Sequence, residues 1–283
     1  MSDRRQEAVN EHFATAAPYW RDIYDENEAR GLVYRHRQEF AAALVATLDL
    51  PARARALEIG SGAGNMAVLL ARRGLVVDAV DAAPSMVAMT MERVHAAGVE
   101  ESVSVRAADI QALPFADGTF DLAVALGVFP WLSAPSLAAG ELARVLKPSG
   151  AAIVTADNKW QLAGLFDPLT SPVFAGLRRS AKRVLERAGR RRATGPQLAR
   201  RTSRAEFAGF FADAGLSAIG AWTTGFPRPT FLGRPLLPAR LSEPLHRTLQ
   251  YAADQRFPIV HALGSQVVLL LQKPAGGETL RGD

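Results

Sequence analysis

The chain has 283 residues, 48 % of them hydrophobic and 22 % charged, which is the balance of a folded protein rather than a disordered one. It contains no cysteine, which excludes disulfides, thiolate metal sites and a cysteine nucleophile. No apolar run approaches the ~20 residues that span a bilayer, and the charged start MSDRRQEAVNEHF lacks the apolar core of a signal peptide, so a cytoplasmic location is expected. The formal charge of +5 is unevenly spread: from Ser171 to Arg204 there are eleven basic residues against Glu186 alone.

In chain order, Val9, Phe13, Ala16 and Ala17 form a helical stripe that Pro18 breaks, and a second helix is predicted from about Leu32 to Leu48. The aromatic-rich piece between them, Tyr19 to Tyr24, reads as a loop or hinge. From Ala54 short strands alternate with helices. Strands are predicted at Ala56–Ile59, Val76–Val80, Val103–Val105, Phe120–Ala125 and Ala151–Thr155, with helices at Met66–Arg73, Pro84–His95 and Leu137–Leu146. Such alternation predicts a doubly wound α/β fold with a mostly parallel sheet covered on both faces. Residues 158–204 lose the rhythm and read as a basic helical insertion. Ser203 and Glu206 then form a capping box that opens a helix ending at Gly215. A strand near Ile219–Thr223, a helix around His246 and an apolar run from Gln266 to Gln272 complete the chain. The expected division is a helical lid (1–50), an α/β core (51–157), the insertion (158–204), a completing segment with a substrate pocket (205–275) and a disordered tail (276–283).

The glycine run Gly60-Ser61-Gly62-Ala63-Gly64 falls between a strand and a helix, where backbone amides face a bound ligand. Gly62 to Ala67 also satisfies the looser dinucleotide pattern, with Asp81 downstream, so a nicotinamide oxidoreductase is a rival reading. Glu58 inside an apolar strand needs a partner to offset its burial. Asp81 reads as a ligand carboxylate or a helix cap, Asp109 as a ligand carboxylate or a turn aspartate. Asp117-Gly118 reads as a turn, and Asp121 as a residue that orients local backbone.

Five segments in order, Leu57-Glu58-Ile59-Gly60-Ser61-Gly62-Ala63-Gly64, Val80-Asp81, Ala108-Asp109-Ile110, Leu113 to Asp121, and Glu141 to Gly150, together resemble the class I S-adenosylmethionine (SAM) dependent methyltransferases. The resemblance implies a seven-stranded Rossmann-like fold, SAM as cofactor and S-adenosylhomocysteine as product. It implies that the Gly60–Gly64 loop with Asn65 cradles the methionine part, oriented by Glu58. Asp81, beside Ala82 and Met86, would take the ribose hydroxyls, and Asp109 and Ile110 the adenine. Leu126-Gly127 would pass close to the methyl donor. Tyr24, with Arg35 or Arg37 on the methionine carboxylate, would close the cofactor site. Phe129, Trp131, Tyr19 and Trp20 are candidates for the acceptor pocket.

No compelling general base stands out. His246 and His261 are the weak candidates, and no residues are spaced like metal ligands. The expected reaction is methyl transfer to a small organic acceptor, a natural product of secondary metabolism or a lipid-like metabolite, with O-methylation favoured and an anionic or carrier-bound acceptor open. The alternatives are a SAM-binding protein that rearranges or cyclises its substrate and an RNA methyltransferase docked through the basic segment. Against RNA, no aromatic residue interleaves the basic run from Arg178 to Arg204. A monomer or a homodimer is expected.

Overall fold

The computed structural model describes Val9, Phe13, residues 29–180 and residues 199–275. The insertion's basic stretch 181–198, the aromatic segment with Tyr19, Trp20 and Tyr24, and the tail 276–283 lie outside the described residues.

Helix α1 (Ala29–Ala46) buries a four-residue stripe of Val33, Arg37, Ala41 and Val45. Then follow β1 (Arg55–Ile59), α2 (Asn65–Arg72), β2 (Val76–Asp81), α3 (Pro84–Ala97), β3 (Val103–Ala107), β4 (Phe120–Ala125) and α4 (Pro135–Val145). β5 runs over Leu146–Asn158, longer at both ends than the sequence suggests, because Leu146 and the Lys147–Gly150 turn enter the sheet instead of ending the helix. After it come the short α5 (Leu162–Leu165), β6 (Arg201–Thr202), α6 (Arg204–Ala212), β7 (Ser217–Thr224), the hairpin β8 (Thr230–Phe231) and β9 (Arg234–Pro235), α7 (Ser242–Asp254) and β10 (Gln266–Gln272).

The main sheet has the order β3-β2-β1-β4-β5-β10-β7, with β6 added to the end of β5. β1 pairs in parallel with both β2 and β4, whereas β10 runs antiparallel to β5 and β7. The chain order reverses between β1 and β4. At such a switch point the loops leaving the two strands turn to opposite faces and open a crevice beyond the strand ends.

Two apolar layers cover the sheet. One joins α1 and α2 to its first face through Leu44, Met66, Leu70, Val77 and Ile153. The other joins α4 and α6 through Leu142, Phe207, Phe211 and Val154. Strands buried on both faces explain the nearly continuous apolar runs of β1, β4 and β10. On the second face Phe129, Phe207 and Phe211 meet edge to face, with ring centroids 5.0–5.4 Å apart. The Ser203–Glu206 capping box is present and starts α6, so that Phe207 and Phe211, one helical step apart, both point inward. Asp121 accepts from the Arg55 amide and from Lys147, orienting local backbone as expected.

Phe207 is fully buried in this cluster, so Phe207→Ala should cost about 3–5 kcal/mol of unfolding free energy, read by chemical denaturation. A loss below about 1 kcal/mol would mean that the aromatic cluster is not a close-packed core.

Candidate active site

The crevice at the switch point is a cavity walled by the β1–α2 loop, the ends of β2, β3, β4 and β5, and the inner side of α1. Its floor depends on glycine at two positions. Gly60 has φ 69°, and a Cβ there would sit 2.4 Å from Val128 Cγ2, so any side chain would drive the β1 and β4 loops apart. Gly62 has φ 53° but open space over its Cα, which leaves the backbone free for close approach by a ligand. The loop is held by Gly60 and Ser61 amides donating to Val80 O, and by the Ser61 hydroxyl 2.9 Å from Thr90 Oγ1.

Asp81 ties the loop to α3: Oδ2 accepts from the Gly62 amide at 3.0 Å and Oδ1 from the Ala83 amide at 2.9 Å. It therefore shapes the turn before Pro84 and also lines the cavity. Burial pushes its carboxyl up, opposed by these backbone hydrogen bonds. Asp109 likewise has two aspects. It accepts from the Gln111 amide at 2.9 Å, as a turn aspartate does, and it lines the cavity beside the buried Ile110. Glu58 lies at the base, 5 % exposed, with Oε2 lacking any hydrogen-bond partner. Burial and the neighbouring Asp81 push its carboxyl up to about 8, despite a hydrogen bond from the Ala67 amide.

Opposite this acidic arc stands Arg37. Its guanidinium is buried, with Nε unpartnered and Cζ stacked 4.8 Å from the Tyr34 ring centroid. It lies against Gly127, where a Cβ would come within 2.6 Å of Nη1. Gly127 in turn donates to Thr155 Oγ1 at 2.7 Å. Trp131 closes one side, meeting Phe13 edge to face at 4.9 Å.

Of the residues singled out from the sequence, Glu58, Gly60, Ser61, Gly62, Asn65, Asp81, Ala82, Met86, Asp109, Ile110, Leu126, Gly127 and Trp131 come together around this cavity. Several do not. Gly64 lies behind the loop, against Thr90 and Arg93. Arg35 lines a separate basic groove with Arg72, Arg73 and Arg93, because two helical residues span about 200° and only Arg37 can face inward. Phe129 is 3 % exposed and belongs to the aromatic core; the turn Phe129–Trp131 sends it inward and Trp131 to the cavity. His246 is buried away from the cavity, accepting from the Phe226 amide through Nδ1, beside His36. Burial, His36 and Arg247 lower it to about 4, so it is neutral. His261 stands outside the cavity, with Nδ1 3.2 Å from Phe257 O. Neither histidine has the reach to act there. Tyr19, Trp20 and Tyr24 lie outside the described residues. Among the described residues no group of three potential metal ligands gathers.

Asp157 and Gln266 are wall residues that the sequence reading passed over. They sit opposite each other across β5 and β10, and Gln266 Oε1 is buried without a partner. Burial pushes the Asp157 carboxyl up, offset by Arg201, Arg37 and the Gln266 amide. Extending β5 past Thr155 would have found Asp157, since strand ends at this edge of the sheet face the ligand.

A family described as methyltransferase domain matches residues 57–154. A demethylmenaquinone methyltransferase of Thermus thermophilus is 38 % identical over 102 residues, covering 35 % of this chain and 46 % of that protein. A sterol 4-C-methyltransferase of Caenorhabditis elegans is 33 % identical over 107 residues, 38 % of this chain and 32 % of that protein. The chain thus spans a third to a half of the length of these relatives. Magnesium protoporphyrin IX methyltransferase from Synechocystis PCC 6803, solved with bound S-adenosylhomocysteine, shares the fold at a TM-score of 0.60 and 17 % identity, over 95 % of this chain and 99 % of that one. The [4+2]-cyclase SpnF shares it at 0.61 and 20 % identity, over 95 % and 96 %, so the fold alone does not fix the chemistry. Residues 57–154 are thus similar to the methyltransferase domain of class I SAM-dependent methyltransferases, whose cofactor is SAM.

Proposed function

We propose that this chain moves the methyl group of SAM to a hydroxyl of a small organic acceptor, lipid-like or a natural product, in the cytoplasm. The observation that carries the reading is the pair of buried, opposite charges in one cavity, Glu58 and Arg37, each with a polar atom left unpartnered. A zwitterionic amino acid that bears a further positive charge complements both. Glu58 would face its cationic side, Arg37 its carboxylate, and Asp81 and Asp109 the hydroxyls and amino group of its nucleoside. A dinucleotide would instead bring a diphosphate against Glu58 and Asp81, which disfavours the nicotinamide reading. Residues 1–50 serve as the lid in this account.

SAM supplies a methyl group already activated on a sulfonium, so the protein's work is to align the acceptor and keep water out. The apolar side of the cavity, with Phe13, Trp131 and Leu132, suits the body of a lipid-like acceptor. Asp157 and Gln266 offer polar contacts for its hydroxyl. With SAM bound, Asp157 would take the proton of the acceptor hydroxyl and pass it to water. A carboxylate whose pKa burial has raised is the better proton acceptor.

Incubating the full chain with methyl-labelled SAM and a cell extract split into small-molecule, RNA and protein fractions tests the reading. Label in the small-molecule fraction supports it; label confined to RNA or protein, or no transfer at all, contradicts it.

Three variants probe the residues. Arg37→Ala should weaken SAM binding at least about tenfold by calorimetry, with Arg35→Ala within about twofold, because a buried charged hydrogen bond is lost only in the first. Asp157→Asn should slow transfer to the labelled acceptor by about a hundredfold while SAM affinity stays within about twofold; equal losses in both would assign Asp157 to the cofactor. The third concerns Glu58. Its folded-state carboxyl lies above its unfolded value, so its stabilising contribution is full below about pH 4.5 and is lost as pH rises towards about 8. Thermal unfolding of the SAM-free protein should show that decline, on the order of a few kcal/mol, and Glu58→Gln should flatten it. An unchanged profile in Glu58→Gln would mean that Glu58 is already compensated.

A further inference from the structure

A second surface takes no part in the cavity. Beyond β5, α5 and the turn at Pro172–Phe174 hold Phe166, Leu169, Val173 and Leu177 out to solvent, each 56–69 % exposed. The β8–β9 hairpin lies beside them and adds Phe231, Leu232 and Leu236, 47–59 % exposed. The two pieces are fastened together. The buried Asp167 carboxylate accepts from Thr230 Oγ1 at 2.7 Å and from the Gly233 amide at 2.8 Å, and Thr230 Oγ1 also reaches Ala163 O at 3.2 Å. Arg178 donates to the carbonyls of Pro168 and Ser171. These apolar side chains are thus displayed by a hydrogen-bonded scaffold, and a soluble monomer rarely leaves such a group uncovered.

The hairpin tip is the more telling part. Leu232 and Gly233 form its two-residue turn, with φ 50° and 76°. That mirror-image turn favours asparagine, aspartate or glycine at both places. Leucine there is unfavourable for the backbone and, being exposed, gains no burial within the chain. Burial of the side chain against a partner surface would offset both costs.

The charge of this face says what that is. Over residues 159–180 and 226–241 the basic residues are Lys159, Arg178, Arg179, Arg228, Arg234 and Arg240, and the one acid is the buried Asp167. Lys159 meets the exposed Glu206 at 3.5 Å, and the remaining cations beside the aliphatic tips complement the headgroup region of an anionic bilayer: apolar side chains enter the acyl boundary while arginines meet phosphates. RNA fits less well, because the exposed set is mostly aliphatic and offers bases little to stack on.

We propose that this face docks reversibly on an anionic lipid surface, with Phe231 and Leu232 at the hairpin tip and the Phe166–Leu177 segment entering the interface. The association is peripheral, since no described helix is long and apolar enough to cross a membrane. It does not depend on which acceptor the cavity takes.

The test is co-sedimentation of the full chain with vesicles of phosphatidylcholine alone, or of equal parts phosphatidylcholine and phosphatidylglycerol, without SAM. Partition onto the anionic vesicles should be at least about tenfold stronger and should fall as salt is raised. Leu232→Asn combined with Phe231→Ser should cut it about tenfold or more. The melting temperature should hold or rise, because asparagine suits the turn, and SAM affinity should stay unchanged. Arg234→Gln should cost about fivefold. Equal partition onto both vesicle types, or a double variant that binds as tightly as the parent, would overturn the proposal. So would binding of a single-stranded RNA oligomer that Arg234→Gln weakens while vesicles bind no protein.

Discussion

A carboxyl group buried at the end of the first strand governs the arrangement around it. Glu58 sits in an apolar strand, has one oxygen without a partner and lies close to a second acid, Asp81. An ionised carboxylate in that place is costly unless a cation or a proton accompanies it. Among the described residues no cation lies within hydrogen-bonding distance of Glu58, and the buried guanidinium of Arg37 lines the same cavity beside Gly127. Burial and Asp81 favour the protonated carboxyl in the free protein, and on the proposed reading the positive charge of SAM takes the place of that proton. On the same reading, the deficit that lowers the stability of the empty site would favour a cationic ligand over an anionic one.

The sheet makes this juxtaposition possible. β1 is paired on both sides, so its last residue is fixed by β2 and β4 together, and the loops beyond these strands diverge. Glycine at Gly60 lets the β1 and β4 loops touch through Val128, and Gly127 leaves room for the guanidinium of Arg37. The floor is therefore set by glycine backbone, and the walls carry three buried polar atoms without a hydrogen-bond partner, Glu58 Oε2, Arg37 Nε and Gln266 Oε1. The surface built by the insertion and the hairpin follows a similar logic at a different place: a scaffold satisfied internally displays groups that are not.

Much of the core was legible in the chain because strands buried on both faces leave continuous apolar runs, and because two helix starts carried a signature, Pro84 at one and Ser203 with Glu206 at the other. Glu58 and the glycine loop stood out for the same reason, as polar or flexible residues where the pattern demands apolar ones. The errors came where direction mattered. Arg35 and Arg37 look alike in sequence, but Arg37 continues the stripe Val33, Ala41 and Val45 that faces inward. Phe129 and Trp131 are two residues apart on a tight turn and point opposite ways. His246 drew attention as a titratable group, yet it sits in a neutral, hydrogen-bonded niche against Phe226. Asp157 was missed because β5 runs past the point where its apolar pattern ends.

The central claim is that a protonated Glu58 awaits a cation, and SAM titration calorimetry at pH 7 and pH 9 tests it most directly. With the free carboxyl near 8 and the bound one ionised throughout, affinity should rise about tenfold between those pH values, and binding at pH 7 should release close to one proton, read from buffers of different ionisation enthalpy. Affinity that is flat across that range, with no proton released, would contradict the account.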